Sequence, residues 1–367
     1  MSSSCGKRIR LSIFGQSHSA AVGAVIEGLP AGFRVDMERL DSFMKRRAPG
    51  GPLATPRREG DRIEFLSGIA GGRLCGSPLC LIIRNADARS GDYSEFRDVP
   101  RPGHADYTSS VKYGGFQDAS GGGHFSGRLT APLTAAGGVC LQILEARGIF
   151  VGAHLKSVGG VEDRAFDPAS VSRADFNARF FSPLTVLDAA AGARMAAAIE
   201  AARAEGDSLG GVVECAAVGL PAGLGEPIFG GLESGIASLV FGIPAVKGVE
   251  FGSGFAAAAM RGSEHNDPFV CEDGAVITAT NHAGGILGGI STGMPLVFRA
   301  AFKPTPSIAR AQRTLSLRTM QLTELNIKGR HDPCVAVRAV PAVEAAAAVA
   351  LCDALLPGNY EPLKGAE

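Results

Sequence analysis

Residues 84–123 form a polar, glycine-rich stretch without helical or strand periodicity, far longer than the few residues that ordinarily join two elements. A compact fold accommodates such a segment as an excursion laid over a rigid body, and excursions of this length carry binding or catalytic groups or move. Within it stands Arg101-Pro102-Gly103-His104-Ala105-Asp106-Tyr107-Thr108. Its Pro-Gly pair predicts a turn, which presents His104 on a loop among charged neighbours.

The rest of the chain reads as the rigid body. Short strands are expected over residues 9–14 and 22–29, then a helix capped by Asp36 with Met37, Leu40, Phe43 and Met44 on its apolar stripe and Pro49-Gly50 as its stop. Residues 63–83 read as hairpins broken at glycines, and strands are expected at 211–218, 245–251, 274–280 and 296–301. Helical patterns cover 130–147, 187–205, 233–241 and 343–356. The 50 glycines have no Gly-X-Y period, and 46% hydrophobic residues exclude a disordered chain, so the glycines imply tight turns around a core of Ala, Val, Leu and Ile. Glu27-Gly28-Leu29-Pro30-Ala31-Gly32 is echoed by Val218-Gly219-Leu220-Pro221-Ala222-Gly223. The echo points to an internal pseudo-duplication within one compact αβ body over residues 1–367.

Lys+Arg and Asp+Glu balance at 36 each, which leaves no field to attract nucleic acid or a membrane surface. The eight cysteines show neither C-x-x-C spacing nor a disulfide framework, and no apolar run is long enough for a signal peptide core or a membrane span, so a cytoplasmic setting is expected. None of the seven histidines falls in H-x-x-x-H or H-E-x-x-H, so no metal is expected. Four histidines, His18, His104, His124 and His331, instead lie in glycine- or turn-rich settings.

Arg46, Arg47, Arg57, Arg58, Arg101, Arg128, Lys303 and Arg330 lie in several separate segments. The cluster Lys45, Arg46 and Arg47 has a plain explanation, since cations in a last helical turn complement the helix dipole. Arginines beside glycines in several loops nonetheless suggest convergence on a carboxylate or phosphate. Gly121-Gly122-Gly123 ahead of Ser126 and a helix near Thr130 would aim backbone N–H groups the same way, although no P-loop motif is present. One rival reading is an NAD(P)-dependent oxidoreductase, because Gly252-Ser253-Gly254-Phe255-Ala256-Ala257 loosely fits G-x-G-x-x-A with Asp273 downstream, but the following residues lack the required second strand. A second rival is a non-catalytic protein that binds a phosphorylated ligand.

Seven blocks resemble the signatures of the chorismate synthase family, in family order: Gly15-Gln16-Ser17-His18, Arg46-Arg47-Ala48-Pro49-Gly50, residues 101–108, residues 121–128, residues 281–290, Lys303-Pro304-Thr305 and Gly329-Arg330-His331-Asp332-Pro333-Cys334. The resemblance implies an α+β fold, a β-α-β sandwich with helices layered between antiparallel sheets and long active-site loops. It implies an anti 1,4-elimination of phosphate from 5-enolpyruvylshikimate 3-phosphate to give chorismate, the last step of the shikimate pathway to aromatic amino acids. The implied cofactor is reduced FMN, with NADPH only an indirect electron source through a separate flavin reductase, and the implied assembly is a homotetramer.

By position, the resemblance puts His18 at the leaving phosphate, His104 near reduced flavin and Asp332 near flavin N5, with Ser17 and Ser126 as active-site serines. It assigns flavin contacts to His124, Phe125, Ser126, Pro244, Ala245, Gly288, Lys303, Pro304, Thr305, Pro306, Ser307 and Arg330, and substrate contacts to Arg46, Arg47 and Arg128. The chain departs from the family at Gln16 and Ser19, where Glu and Gly are usual, and at His124, Ala48 and Leu53, each a frequent Arg. Pro306 stands in place of a common Ser. These departures bear on which groups meet the phosphate.

Overall fold

The computed structural model describes residues 3–48, 53, 60–85, 96–177, 180–181, 184–327 and 332–356. Two five-stranded sheets, antiparallel throughout, frame the molecule. In spatial order the first contains Ser4–Cys5, Arg10–Gly15, Ala21–Glu27, Leu79–Arg84 and Ile63–Ser67. The second contains Val246–Phe251, Leu296–Phe302, Gly211–Val218, Phe150–Val158 and Val161–Glu162. Alternation sets the faces: in Leu79–Arg84, Leu79, Leu81 and Ile83 are buried while the residues between them are not fully so.

The described helices are α1 (Met37–Arg47), α2 (Asp106–Tyr113), α3 (Thr130–Glu145), α4 (Arg173–Asn177), α5 (Ala189–Ala204), α6 (Leu232–Phe241), α7 (Gly262–His265) and α8 (Ala336–Leu355). Asp36 caps α1 by accepting the Arg39 N–H, as its sequence position predicts. α3 and α8 are apolar on nearly every side, the mark of helices buried all round. Residues 131–144 of α3 and 339–352 of α8 are all buried. α3 packs on the first sheet, α8 on the second, and the two helices pack on each other. The chain therefore has an α+β fold with helices between antiparallel sheets, and one apolar cluster runs through both sheets and the helix layer.

Close approach is achieved with glycine. A Cβ on Gly137 would overlap the Cα and Cβ of Ala345 and lie 2.6 Å from its carbonyl oxygen, so the backbones of α3 and α8 almost touch. At the helix starts, Arg47 Nε donates to Thr130 Oγ1 (3.1 Å) and Arg338 Nε donates to the Arg47 carbonyl (3.0 Å). Further along, Cys352 Sγ donates to the Cys140 carbonyl. α3 and α8 thus run parallel, N-termini together.

The two halves repeat a plan. In each, two strands pair, a helix follows, and two more strands add in the order first, second, fourth, third: Arg10–Gly15, Ala21–Glu27, α1, Ile63–Ser67 and Leu79–Arg84, then Phe150–Val158, Gly211–Val218, α6, Val246–Phe251 and Leu296–Phe302. The echoed pentapeptides match in detail. Gly28 and Gly219 have φ of 87° and 81°, and a Cβ on either would overlap a carbonyl oxygen, of Arg8 or Gly148, and sit 3.5 Å from the next Cα, of Ile9 or Ile149. The Gly32 N–H donates to Leu74 and the Gly223 N–H to Ser291, at 2.8 and 2.9 Å.

Some elements depart from the sequence reading. α8 begins at Ala336, ahead of the expected 343, and carries Pro341 as its sixth residue, which forgoes one backbone hydrogen bond inside the helix. The strand Phe150–Val158 escapes the pattern because its interior carries His154 and Lys156. α2 forms inside the stretch read as loop.

Candidate functional site

The turn joining Arg10–Gly15 to Ala21–Glu27 carries Ser17 and His18, and it meets the Gly121-Gly122-Gly123 run. The Ser17 N–H donates to the Gly123 carbonyl (3.1 Å), Ser17 Oγ donates to the Ser120 carbonyl (3.1 Å), and His18 Nδ1 lies 2.9 Å from Ser17 Oγ. With the hydroxyl hydrogen committed to Ser120, His18 donates Nδ1–H to Ser17. All three glycines have positive φ (68°, 143° and 53°). Side chains are excluded there because a Cβ on Gly121 would overlap the His18 ring, and one on Gly122 would lie 3.3 Å from His104 Nε2. The glycine backbone is therefore a saddle with His18 against Gly121 and His104 against Gly122.

His104 follows the Pro102-Gly103 turn, as the sequence predicts. Its Nδ1 is 2.6 Å from Asp106 Oδ1 in the first turn of α2. Arg101 wraps the same carboxylate with its backbone N–H (3.0 Å), Nε (2.7 Å) and an Nη (2.7 Å), and its guanidinium stacks on Phe96 at 4.4 Å. Burial opposes the Asp106 charge, but hydrogen bonds from Arg101 and His104 prevail and hold its carboxyl well below the ordinary range. The segment 303–307 closes over this turn: Lys303 Nζ donates to the Gly103 carbonyl (2.5 Å) and an Arg101 Nη donates to Ser307 Oγ (3.4 Å). Burial, with Lys247 nearby, lowers the Lys303 pKa. Behind it the Lys303 N–H donates to the carbonyl of Ala245, a non-glycine residue held at φ 77°.

A chain of charge pairs lies at the parallel helix starts. Asp61, 4% exposed and at φ 45°, bridges the buried guanidinium groups of Arg47 and Arg128. Arg128 also donates to Asn85 Oδ1 (2.9 Å) and the Arg84 carbonyl (3.2 Å). Asp332 accepts from Arg338 (2.8 Å), whose Nε reaches the Arg47 carbonyl. Burial favours protonated Asp61, but the two arginines outweigh it and lower its pKa. Burial draws Arg47 down to about 10, which leaves it charged at neutral pH. The N-terminal dipole ends of α3 and α8 add partial positive charge on the same side.

Arg46 has a partner inside the fold. Its guanidinium makes a two-pronged bridge to buried Glu344 of α8 (2.6 and 2.9 Å), which also accepts the Ala153 N–H (2.8 Å), so it ties α1 to α8 and the second sheet. His124 is likewise occupied: Nδ1 donates to the Gly15 carbonyl and Nε2 accepts from Ser3 Oγ, both at 2.8 Å. Ser126 caps the turn that delivers Arg128 by accepting its N–H (3.2 Å), and Phe125 lies half exposed beside Tyr113. Gly288 tips a hairpin whose next residue, Gly289, packs on Glu226 and Gly231 and accepts the Leu232 N–H. Arg330, His331, Arg57, Arg58, Pro49 and Gly50 lie outside the described residues.

Several departures have structural explanations. Leu53 is buried at 2% exposure in the apolar core, Ser19 Oγ donates to the Gln16 and Ala21 carbonyls and so braces the turn, and Pro306 packs near Gly103. Sequence reasoning missed Asp61, Asn85, Arg338 and Glu344, none of which stands in a glycine-rich motif, and Gln117, which lies in the glycine-rich stretch but in none of its motif blocks. The dinucleotide reading fails on topology: Gly252 is needed for contact with the 282–284 backbone, and Val246–Phe251 lies in an antiparallel sheet and leads into a 3₁₀ turn, Gly254–Ala259. Among the described residues no group of three or more His, Cys, Asp or Glu could hold a metal ion, and no helix is long and apolar enough to cross a membrane. A separate cavity of about 620 Å³, lined by Lys7, Arg8, Phe229 and Asp353 among others, contains none of the residues singled out from the motifs.

Two histidines across a glycine saddle, backed by arginine and carboxylate pairs, equip an α+β enzyme for proton transfer beside an anion. The chorismate synthase family model matches residues 9–356. The chain is 48% identical to the chorismate synthase of Korarchaeum cryptofilum over 352 residues, 96% of either chain, and 49% identical to that of Aeropyrum pernix, covering 96% of this chain and 92% of the relative. It is also similar to a solved crystal structure of chorismate synthase, with a TM-score of 0.75, 27% identity and coverage of 96% and 93% of the two chains. The chain belongs to the chorismate synthase family; it is a carbon–oxygen lyase of aromatic amino acid biosynthesis.

Proposed function

We propose that the chain converts 5-enolpyruvylshikimate 3-phosphate to chorismate and phosphate by anti 1,4-elimination, with reduced FMN bound beside the Gly121-Gly122-Gly123 saddle. The observation that carries this reading is the placement of His18 and His104 against adjacent residues of one backbone run. His18, oriented through Ser17, protonates the departing phosphate. His104 supplies or holds a proton on the flavin side, and imidazole, able to donate or accept a proton, suits both tasks. Arg47 and Arg128 face the anion with their charge partly shared by Asp61, and Arg46 contributes by fixing α1 rather than by direct contact. Ser126 positions Arg128, and Asp332, held by Arg338, is the acceptor for the ring proton lost in the elimination.

The residues present fit a flavin. Thr305 Oγ1 and Gln117 Oε1 are buried without a hydrogen-bond partner, and Ala245 is held in a left-handed conformation beside Lys303. Pro244, Ala245, Lys303, Pro304, Thr305, Pro306 and Ser307 would hold the cofactor, with Phe125, Ser126 and Arg330; His124 supports this wall through Gly15, and Gly288 joins it only through another part of the assembly. When bound, reduced flavin supplies transient electron density with no net redox change. A homotetramer fits the exposed Phe229, Phe255 and Phe269 of the second half. NADPH acts through a separate reductase in the cytoplasm, and the two halves descend from a duplicated unit.

Anaerobic assay with dithionite-reduced FMN tests the reaction. Chorismate and phosphate should form, and His18→Ala and His104→Ala should each lose at least about tenfold in turnover. No product from folded protein refutes the reading; turnover in air with NADPH and FMN alone refutes the separate reductase.

A further inference from the structure

His104 Nδ1 has two close neighbours, Asp106 Oδ1 at 2.6 Å and an Arg101 Nη at 3.1 Å. Arginine can only donate, and the same Nη already has Asp106 Oδ1 at 2.7 Å. The shorter contact to a carboxylate therefore decides the tautomer: Nδ1 carries hydrogen and donates to Asp106, while Nε2 faces Gly122. We propose that Asp106 is a positioning residue that fixes Nδ1–H of His104, so that Nε2 alone exchanges a proton, and that Arg101 limits how strongly Asp106 favours the imidazolium. The inference rests on the reading that His104 takes part in the reaction.

The arrangement is built rather than incidental. The side chain of Arg101 is 1% exposed and that of Asp106 10%, and Phe96 covers the guanidinium on its other face. A carboxylate paired only with histidine would hold the proton tightly. One that also accepts three hydrogen bonds from Arg101, counting its backbone N–H, has its charge largely committed. The other groups around His104 are Lys303 over Gly103, Asp118 and Gln117 in the small cavity it shares, Ser307 against Arg101, and His18 across the saddle. Of these, Lys303 disfavours the imidazolium and Asp118 favours it, and neither replaces the direct bond to Nδ1.

Nitrogen-15 histidine NMR on the full-length protein reads this directly, with His104 identified by the signals missing in His104→Ala. Wild-type protein should keep Nδ1 protonated throughout the titration while Nε2 titrates. In Asp106→Asn the Arg101 charge is left uncompensated, so the midpoint should fall by about one pH unit. The limb of the turnover profile that reports His104 should move acidward by the same amount. A neutral His104 carrying its hydrogen on Nε2, or an unchanged midpoint in Asp106→Asn, overturns the proposal; the wild-type tautomer decides it even if the variant does not fold. Wild-type turnover in His104→Ala would instead remove the role of His104 in the reaction, and with it the service Asp106 gives.

Discussion

Asp61→Asn isolates the carboxylate that bridges Arg47 and Arg128 at the helix starts. The substitution keeps shape but leaves Arg47 and Arg128 buried without their shared counter-charge and turns an amide N–H₂ toward one of them. Removing one partner of a buried pair costs about 3–5 kcal/mol. With about 2.1 cal/mol/K of unfolding entropy per residue, 367 residues give about 0.8 kcal/mol/K, so the midpoint of thermal unfolding should drop by about 4–6 °C. The pH dependence adds a sign. Because Asp61 is held below the ordinary 3.8, its contribution is complete above that value and is lost as pH falls through the folded-state pKa. Protonated Asp61 resembles Asn, so calorimetry should find the gap between wild type and variant widest near neutrality and closing in acid. A gap under about 1 kcal/mol at pH 7, the ordinary value of an exposed pair, or one that does not narrow as pH falls below the ordinary carboxylate range, refutes the reasoning.

Gly121→Ala should leave the fold intact by circular dichroism yet lower turnover by more than about tenfold, because its Cβ displaces the His18 ring; unimpaired turnover would contradict the saddle. Gly137→Ala gains about 1 kcal/mol of helix propensity but overlaps the Ala345 backbone, which flexible side chains cannot relieve. Net destabilisation of about 1–3 kcal/mol is expected by thermal unfolding. If the halves are equivalent, Gly28→Ala and Gly219→Ala should destabilise by similar amounts, within about 0.5 kcal/mol, in the same measurement; a clear inequality would argue against equivalence at these turns.

Much of the fold was legible because its buried elements write their environment into local sequence. The almost wholly apolar α3 and the apolar run of Leu296–Phe302 need no tertiary information to be recognised. The histidines were legible because turn residues flank them: Gly15 and Ser19 mark the bend at His18, and Pro102-Gly103 marks the bend at His104. What stayed hidden depends on pairing across the chain. Asp61 meets Arg47 and Arg128 across 14 and 67 residues, and Glu344 meets Arg46 across 298. An arginine in sequence announces a charge but not whether the fold supplies it a partner, which is why the tie of Arg46 to Glu344 was not foreseen. The same holds for His124, whose glycine-rich surroundings promise a ligand and whose bonds anchor Ser3 and Gly15.

The contact of Gly137 with Ala345 has a reach beyond packing. α3 leaves the saddle directly after Arg128, and α8 starts just after Asp332, so each helix carries one side of the proposed site at its head. With a rise of about 1.5 Å per residue, the point where the backbones meet lies roughly 10 Å along one helix and 14 Å along the other. A gap of one methyl group between two rigid rods at that depth would part their heads by a similar amount. The smallest side chain in the molecule thereby acts as a gauge block, setting the width of a chemical site it never touches.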